Sequence, residues 1–433
     1  MSRPNIVFYF SDQQRWDTLG CYGQALPVTP NLDRLAAEGT RFENAFTCQP
    51  VCGPARACVQ SGVWATQTGC FKNGIALPEG TKTIAHSFNE AGYDTAYVGK
   101  WHLASGPERL ETKPVPPEKR GGYKDYWMAA DVLEFTSTGY GGHVFDAENN
   151  KIAFKGYRSD CINGFALDYI KNRESANPFF LFISQLEPHH QNNHLRFESP
   201  KGSRKLFKNY EVPGDLQGAA GDWKLHYPDY LSCCNRLDAN VGLLEETLRE
   251  QGLYDDTVII YTSDHGCHFR TRNAEYKRSC HDASIRIPML ARGPGFNNGG
   301  TVNDLVSLID IPPTLLDLAG IPVPAHFAGK SLLPLAAGTR GAGRDHVFVQ
   351  ISESRTGRAI RTARWKYAIS NKNTGEAFAA VYKEECLYDL ENDPHERNNL
   401  IAEPGYGDVR ARLREMLLSD MKAAGEPAAV IKI

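Results

Sequence analysis

No apolar run in the 433-residue sequence approaches the length needed to cross a bilayer, so no membrane association is expected. An excess of one charge is missing as well: 48 Lys and Arg against 51 Asp and Glu give a formal net charge of −3. That balance argues against a general nucleic-acid binder and leaves room only for local basic pockets. Internal repeats and low-complexity tracts are absent, which sets aside repeat arrays and disordered segments. Paired C-x-x-C knuckles are absent too, although the chain has 11 cysteines. Their number is odd and they run from Cys21 to Cys386 without a regular framework. Free thiols are therefore expected rather than disulfides, and with them a cytoplasmic location. The N-terminal "MSRPNIVFYFSDQQ" shows neither a charged leader nor a small-residue cleavage site and is expected to be a strand.

What is present is the composition of a folded globular protein, 41% hydrophobic and 23% charged. The chain is long for one core, so a large domain with a smaller companion is expected. Short apolar runs alternating with helical patterns predict an α/β fold, a large, mixed, mostly parallel sheet sandwiched by helices. "NIVFYF" (5–10), "DTAYVG" (94–99), "NPFFLFIS" (177–184) and "DDTVIIYTS" (255–263) read as strands of that sheet. Residues 31–39, 83–92 and 229–252 read as helices, each closed by glycine. Near residue 345 the pattern changes. "HVFVQIS", "GRAIRTARWKYAIS", "AFAAVYK" and "CLYDL" predict a smaller C-terminal antiparallel sheet, followed by a helix over 406–423. The Gly/Arg-rich "GTRGAGRD" between them sets the expected domains at 1–343 and 344–433.

In open α/β sheets, ligands gather outside the carboxyl ends of the strands. Asp12 and Gln13 follow the first strand, Asp264 and His265 follow "VIIYTS", and His189 and His190 lie in "QLEPHHQ" after "PFFLFIS". This oxygen-rich set suits a hard divalent cation such as Ca²⁺ or Mg²⁺, while the imidazole leaves Mn²⁺ or Zn²⁺ open. Either pair alone serves equally well as turn residues; two pairs at strand ends point to a metal. "VGKWHLAS" (98–105) adds Lys100 and His102, two apart and so on one face of an extended segment, with a solvated surface as the alternative.

The stretch "TCQPVCGPARACVQSG" (47–62) carries the chemistry. Pro54 suits the first turn of a helix and Gly62 the residue after its end. That places Cys52 at the helix N-terminus, where free backbone N–H groups and the dipole favour an anion. Arg56, on the first turn, can reach back to the same spot. A thiol there is expected to be acidified and reactive. The alternatives are a buried structural cysteine, and zinc held by Cys48, Cys52, Cys58 and Cys70, which the spacing does not favour.

Cys52-Gly-Pro54-Ala-Arg56 followed by "ACVQSG" resembles the C-x-P-x-R signature of type I sulfatases, members of the alkaline phosphatase superfamily. "RPNIVFYFSDQQRWDTLGCYG", "TPNLDRLAAEGTRFENAF", "VGKWHLA", "YTSDHG", "EYKRSCHDASIRIPMLARGPG", "RWKYAIS" and "CLYDLENDPHERNNL" are similar to further segments of that family, in order along nearly the whole chain. The resemblance implies an alkaline phosphatase-like fold and hydrolysis of a sulfate ester. It also implies conversion of Cys52 to formylglycine by a separate maturation enzyme. The implied metal ligands are Asp12, Asp264 and His265, with Gln13 replacing the second acidic ligand of many sulfatases. The cation is usually Ca²⁺ in the family, and the charge lost at Gln13 leaves Mg²⁺ or Mn²⁺ open. In the implied mechanism a hydroxyl of hydrated formylglycine attacks sulfur while Lys100 and Lys277 face the sulfate oxygens. His189, helped by Lys277, protonates the leaving alcohol, with His190 the less favoured neighbour. His102 takes the proton from the remaining hydroxyl to expel sulfate, and Arg56 holds the formylglycine.

The loop "CHFRTRNAEYKRS" (267–279) is basic, and His268, Arg270 and Arg272 are candidate contacts to a substrate with extra negative charge, such as a sulfated uronate-containing saccharide. A solvated charged loop is the alternative. His281 and Arg358, the latter in "SESRTGR" (352–358), are further candidates. Two rivals stand beside the sulfatase expectation: a phosphonate monoester or phosphodiester hydrolase of the same superfamily, and a non-catalytic binder of sulfated ligands. Homo-oligomerisation is left open by the sequence.

Overall fold

The computed structural model of the protein describes residues 3–297 and 299–432. Among these, ten strands build the main sheet: β1 (Asn5–Ser11), β2 (Thr40–Phe46), β3 (Asp94–Lys100), β4 (Tyr126–Ala130), β5 (Tyr140–Phe145), β6 (Lys151–Tyr157), β7 (Phe179–Ser184), β8 (Thr257–Ser263), β9 (Met289–Arg292) and β10 (Gly300–Ser307). Their order is β10-β2-β9-β8-β1-β7-β3-β4-β5-β6. The central five, β8-β1-β7-β3-β4, run parallel, and antiparallel pairs flank them on both sides. β1, β7 and β8 are buried along their whole length. Parallel strands covered on both faces require such continuous apolar runs.

Alternate residues feed two cores, as strand geometry dictates. Ile6, Phe8, Phe10, Phe182 and Ile260 face the helices Cys52–Ser61 and Ile84–Glu90. Val7, Tyr9, Leu181, Ile183 and Tyr261 face the helices Pro30–Glu38, Arg158–Asn172 and Trp223–Glu250. No described helix is long and apolar enough to cross a membrane.

The second sheet has the order β11 (His346–Ile351), β12 (Thr356–Thr362), β13 (Trp365–Asn371), β14 (Val381–Asp389) and β15 (Val430–Lys432). The first four strands are antiparallel, and β15 joins β14 in parallel. The helix Gly407–Ala423 packs Leu413, Leu417 and Met421 on one face. The other face meets Phe46, Ile285 and Leu305 of the main body.

Two elements differ from the sequence reading. "AFAAVYK" and "CLYDL" do not make two strands; the single strand β14 starts at Val381, inside the first, and continues to Asp389 in the second, with a shift of register against β13 between Ala368 and Ile369. The long helix begins at Trp223, earlier than expected, with Pro228 inside it. Trp223, His226 and Tyr227 are buried, and their packing outweighs the one backbone hydrogen bond that a proline near a helix start removes.

Asp238 of that helix accepts hydrogen bonds from Leu32 N at 2.7 Å and Asn31 Nδ2 at 2.8 Å. Burial pushes its carboxyl up to about 6 from the model-peptide 3.8. The folded state therefore binds this proton more tightly than the unfolded chain does. The resulting stabilisation is complete below the unfolded value and is lost as pH rises through about 6. Asp238→Asn is expected to flatten this pH dependence between pH 4 and pH 7, read from urea unfolding at both values, while its single amide oxygen serves only one of the two donors.

Candidate active site

Register brings the site together. Ser11 of β1 lies opposite Ser263 of β8, and Phe10 lies opposite Ser184 of β7. Asp12 and Asp264 therefore leave adjacent parallel strands side by side. β7 leads to His189, β3 ends in Lys100, and β4 leads to Glu134. At Gly99, φ is +106° and a Cβ would sit 1.9 Å from the Ser184 carbonyl oxygen, so only glycine lets β3 pass this close before Lys100. The helix Cys52–Ser61 enters the same space with Cys52 as its first residue, after extended Val51 and before Gly62 at φ 74°.

Cys52 Sγ lies 3.4 Å from Asp12 Oδ1, 3.2 Å from His265 Nε2 and 2.7 Å from Lys277 Nζ. Lys277 Nζ is also 3.1 Å from His265 Nε2 and 3.3 Å from His189 Nε2. Lys100 Nζ donates to Asp12 Oδ2 at 2.9 Å and to Glu134 Oε1 at 3.1 Å. Arg56 donates to Asp12 Oδ2 at 3.1 Å, Asp264 Oδ2 at 3.4 Å and Ser184 Oγ at 2.5 Å. All of these side chains are buried. Of these, Cys52, Glu134, His189 and Lys277 line a pocket of about 200 Å³, with Gln13, His102 and Arg270 among its other walls. Gln13, His102, Arg270 and Arg278 line it from left-handed backbone, at φ 69°, 60°, 60° and 63°. Such strain gathers where a fold over-determines the position of functional groups.

Asp12, Cys52, Asp264 and His265 offer ligand atoms within 4.8 Å of one another. His265 Nδ1 donates to the Gly266 carbonyl at 2.9 Å, which leaves the Nε2 lone pair facing the cluster. Burial, and next the charge of Asp12, push the Asp264 carboxyl up to about 7. Burial opposes ionisation of Asp12 as well, but Lys100, His189, Lys277 and Arg56 hold it well below the usual carboxylate range. Two buried carboxylates this close share a proton unless more positive charge arrives. A divalent cation would supply that charge, so the donors present fit one. Gln13 lines the same pocket, and its backbone N–H donates to Asp264 Oδ1 at 3.0 Å. Among the described residues, Cys48, Cys58 and Cys70 belong to no metal-holding group, so the zinc alternative has no site.

The Cys52 thiol is not acidified. Burial and then Asp12 push it up to about 12, against the opposing pull of Lys277 and Lys100. The helix N-terminus, which led to the opposite expectation, is outweighed by desolvation. His102, His189 and His265 are each held well below the usual imidazole range, first by burial and then by neighbouring charges, Lys100 and Lys277 among them.

Of the expected substrate contacts, only Arg270 lines the pocket. Its Nε is 3.5 Å from Asp222, and its guanidinium lies 5.0 Å over the Tyr276 ring. His268 is fully buried behind the site, bonded through Nε2 to the Lys277 carbonyl at 3.1 Å. Arg272 is committed to the carbonyls of His395 and Glu396. His281 is bonded to the Tyr388 hydroxyl at 3.1 Å, and Arg358 is locked in a buried ion pair with Glu426 at 2.7 Å. His268 and Arg358 are thus buried supports, and the half-buried Arg272 and His281 line a different cleft, so none of the four lines the active-site pocket. His190 stacks on Tyr276 at 4.5 Å and does not line the pocket.

Sequence reasoning missed Glu134, Asn73 and Glu353. Glu134 is part of the pocket wall and shares Lys100 with Asp12. Asn73 accepts from Gly53 N at 3.0 Å, beside Cys52. "SESRTGR" does reach the site, through Glu353 instead of Arg358: its carboxylate accepts from Asn73 N at 3.1 Å and pairs with Arg278. The strand-end rule would have pointed towards Glu134, but β4 went unrecognised.

The sulfatase family profile matches residues 4–321. The chain belongs to the sulfatase family. A second profile, that of the C-terminal region of N-sulphoglucosamine sulphohydrolase, matches residues 274–423. This sulfatase is 30% identical to the uncharacterized sulfatase YidJ of Escherichia coli K12, over 99% of this chain and 89% of that protein. It is 27% identical to an N-acetylglucosamine-6-O-sulfatase of Bacteroides thetaiotaomicron, over 97% and 86%. Its fold matches the phosphonate monoester hydrolase of Agrobacterium radiobacter with a TM-score of 0.72 at 22% identity, over 98% of this chain and 96% of that one. The protein is a sulfuric ester hydrolase.

Proposed function

We propose that this sulfatase removes an O-sulfate from a saccharide. It would use formylglycine made from Cys52 by a separate maturation enzyme, and a divalent cation, Ca²⁺ first, held by Asp12, Gln13, Asp264 and His265. The observation that carries the reading is the single point on which Cys52 Sγ, Asp12, His265 Nε2 and Lys277 Nζ converge. When bound, the cation would supply positive charge to the sulfate oxygens and acidify a neighbouring hydroxyl, and the formylglycine would supply two hydroxyls on one carbon.

The rest falls to the chain's own side chains. Lys100 and Lys277 set fixed positive charge against the oxygens of the transferring group. The Lys277–His189 pair, 3.3 Å apart, delivers the proton to the leaving alcohol. His102, in the pocket wall, would act as the base towards the side chain at position 52 when sulfate leaves. Arg56 keeps Asp12 and Asp264 in place and would hold the oxygen of a formylglycine at position 52. Glu134 holds the Lys100 ammonium together with Asp12.

The carbohydrate sulfatase among the relatives supports a saccharide substrate, and Arg270 at the pocket wall suits a further anionic group on it. The rival is phosphonate monoester hydrolysis, favoured by the shared fold and by the amide at position 13. Matured protein should be assayed side by side on sulfated mono- and disaccharides, an aryl sulfate and a phosphonate monoester. Sulfate release from a sugar is expected. Faster turnover of the phosphonate would hand the site to the rival, and inertness on all of them would end both readings. Chelation is expected to lower turnover at least about 100-fold, with recovery on adding Ca²⁺, Mg²⁺ or Mn²⁺ in separate arms. Full activity after exhaustive chelation, verified by metal analysis, would exclude the cation.

A further inference from the structure

A second cleft, of about 770 Å³, lies beside the active-site pocket. Two chain segments run from one to the other. Glu134 stands in the wall of the first, and Thr138 to Tyr140 line the second. Asn192 stands in the first, and His194 to Ser199 line the second. Between the two lies a layer of rings. Tyr276, in the active-site wall, stacks on His190 at 4.5 Å, and His190 packs edge-on against Phe197 at 5.1 Å and His226 at 5.8 Å, both of the second cleft.

The lining has a definite chemistry. Arg196, Lys201 and Arg204 face two carboxylates, Glu198 and Asp229, so the permanent charges sum to positive. Arg196 and His194 engage Glu198, and Arg204 and Ser199 engage Asp229. Lys201 pairs with no carboxylate among the described residues and lies 4.8 Å over the ring of Tyr140. Tyr140 is 42% exposed, and Leu195 and Leu225, which line the same cleft, are 70% and 61% exposed. Exposed apolar surface rimmed by polar groups marks a binding groove. An aromatic edge with an unpaired ammonium and guanidinium groups fits a sugar ring that carries sulfate or carboxylate.

We infer that this cleft is a subsite for the next sugar residues of a polyanionic saccharide whose sulfated unit occupies the 200 Å³ pocket. The inference rests on the saccharide reading above. It makes the preferred substrate an oligosaccharide, lying along the segments 134–140 and 192–199 that run from one cleft to the other.

The test uses matured enzyme and two substrates that share the same sulfated unit, a monosaccharide and a tetrasaccharide. Wild type is expected to favour the tetrasaccharide about ten-fold in kcat/KM, equivalent to about 1.4 kcal/mol, mainly through a lower KM. The preference should shrink as salt rises. Lys201→Ala is expected to bring the tetrasaccharide-to-monosaccharide ratio close to one, and Lys201→Glu to bring it below one. Equal handling of the two substrates by wild type, or variants that keep the wild-type ratio, overturns the subsite and leaves the cleft for another class of partner. Wild type that turns over an aryl sulfate but neither saccharide is a distinct result, which overturns the saccharide reading and the subsite with it.

Discussion

Cys52→Ala is expected to lower sulfate release by at least about 10⁴-fold in kcat while the protein stays folded. The side chain at position 52 lies within 3.4 Å of Asp12, His265 and Lys277. Among the described residues no other thiol or aliphatic hydroxyl lines that pocket: the remaining polar groups are carboxylates, amides, cations, imidazoles and the Tyr276 phenol, which donates to Asp222 at 2.6 Å. The fold should tolerate the change, because the helix start is set by extended Val51 and by the 3.0 Å bond from Gly53 N to Asn73, neither of which uses the thiol. Cys52→Ser is expected to be nearly as inactive. A serine can accept the sulfuryl group once but has no second hydroxyl with which to expel it, so at most one turnover should appear in a stopped assay. The checks are ion chromatography of released sulfate, circular dichroism of each variant, and mass spectrometry of the peptide that carries residue 52. Active wild type should show the aldehyde in that peptide. An alanine variant that retains a tenth of wild-type turnover would remove position 52 from the mechanism, and a fully active enzyme with an intact thiol would remove formylglycine.

The parts of the site that were legible in the sequence are those carried by strand ends. Asp12 and Asp264 each follow a run that is buried along its whole length, and a parallel sheet leaves such exits on one edge. Lys100 was readable for the same reason, as the last residue of β3. The helix start at Cys52 followed from Pro54 and Gly62, whose conformational limits are local. Lys277 lies in an irregular segment, and no periodicity assigned it a role; only the resemblance did. Glu134 escaped because β4, "YWMAA", is short and its partner β5 contains two glycines, so neither strand stood out. The second cleft escaped because its walls come from three separate segments, joined only by the tertiary fold. Charge misled where burial decides. Arg272, His281 and Arg358 read as substrate contacts in the sequence, yet each is bonded to another part of the chain. Whether an arginine faces a ligand or a buried carboxylate depends on which distant acid meets it, and Glu426 is 68 residues from Arg358.

That difference yields the largest expected effect on stability. Arg358 is 1% exposed. Its Nε donates to both carboxylate oxygens of Glu426, at 2.7 and 2.8 Å, and its terminal nitrogens donate to the carbonyls of Gly357 at 2.6 Å and Ala377 at 2.5 Å. Glu426 is held in turn by Gln350 at 2.7 Å, which also donates to Thr66 Oγ1 at 2.7 Å, so the pair ties β12 and the C-terminal segment to the main body. Arg358→Ala leaves a buried carboxylate and two carbonyls without their donor and is expected to cost about 3–5 kcal/mol in urea unfolding. Burial already raises the Glu426 carboxyl above its ordinary range. Without the arginine it rises further, so the deficit should narrow as pH falls and the acid takes up a proton. Replacing both partners together, Arg358→Met with Glu426→Met, is expected to recover most of the loss, because no charge is then stranded. Throughout the series kcat/KM per folded molecule should stay within about two-fold of wild type. A rise in KM with unchanged unfolding midpoint would return Arg358 to the substrate and remove it from the framework.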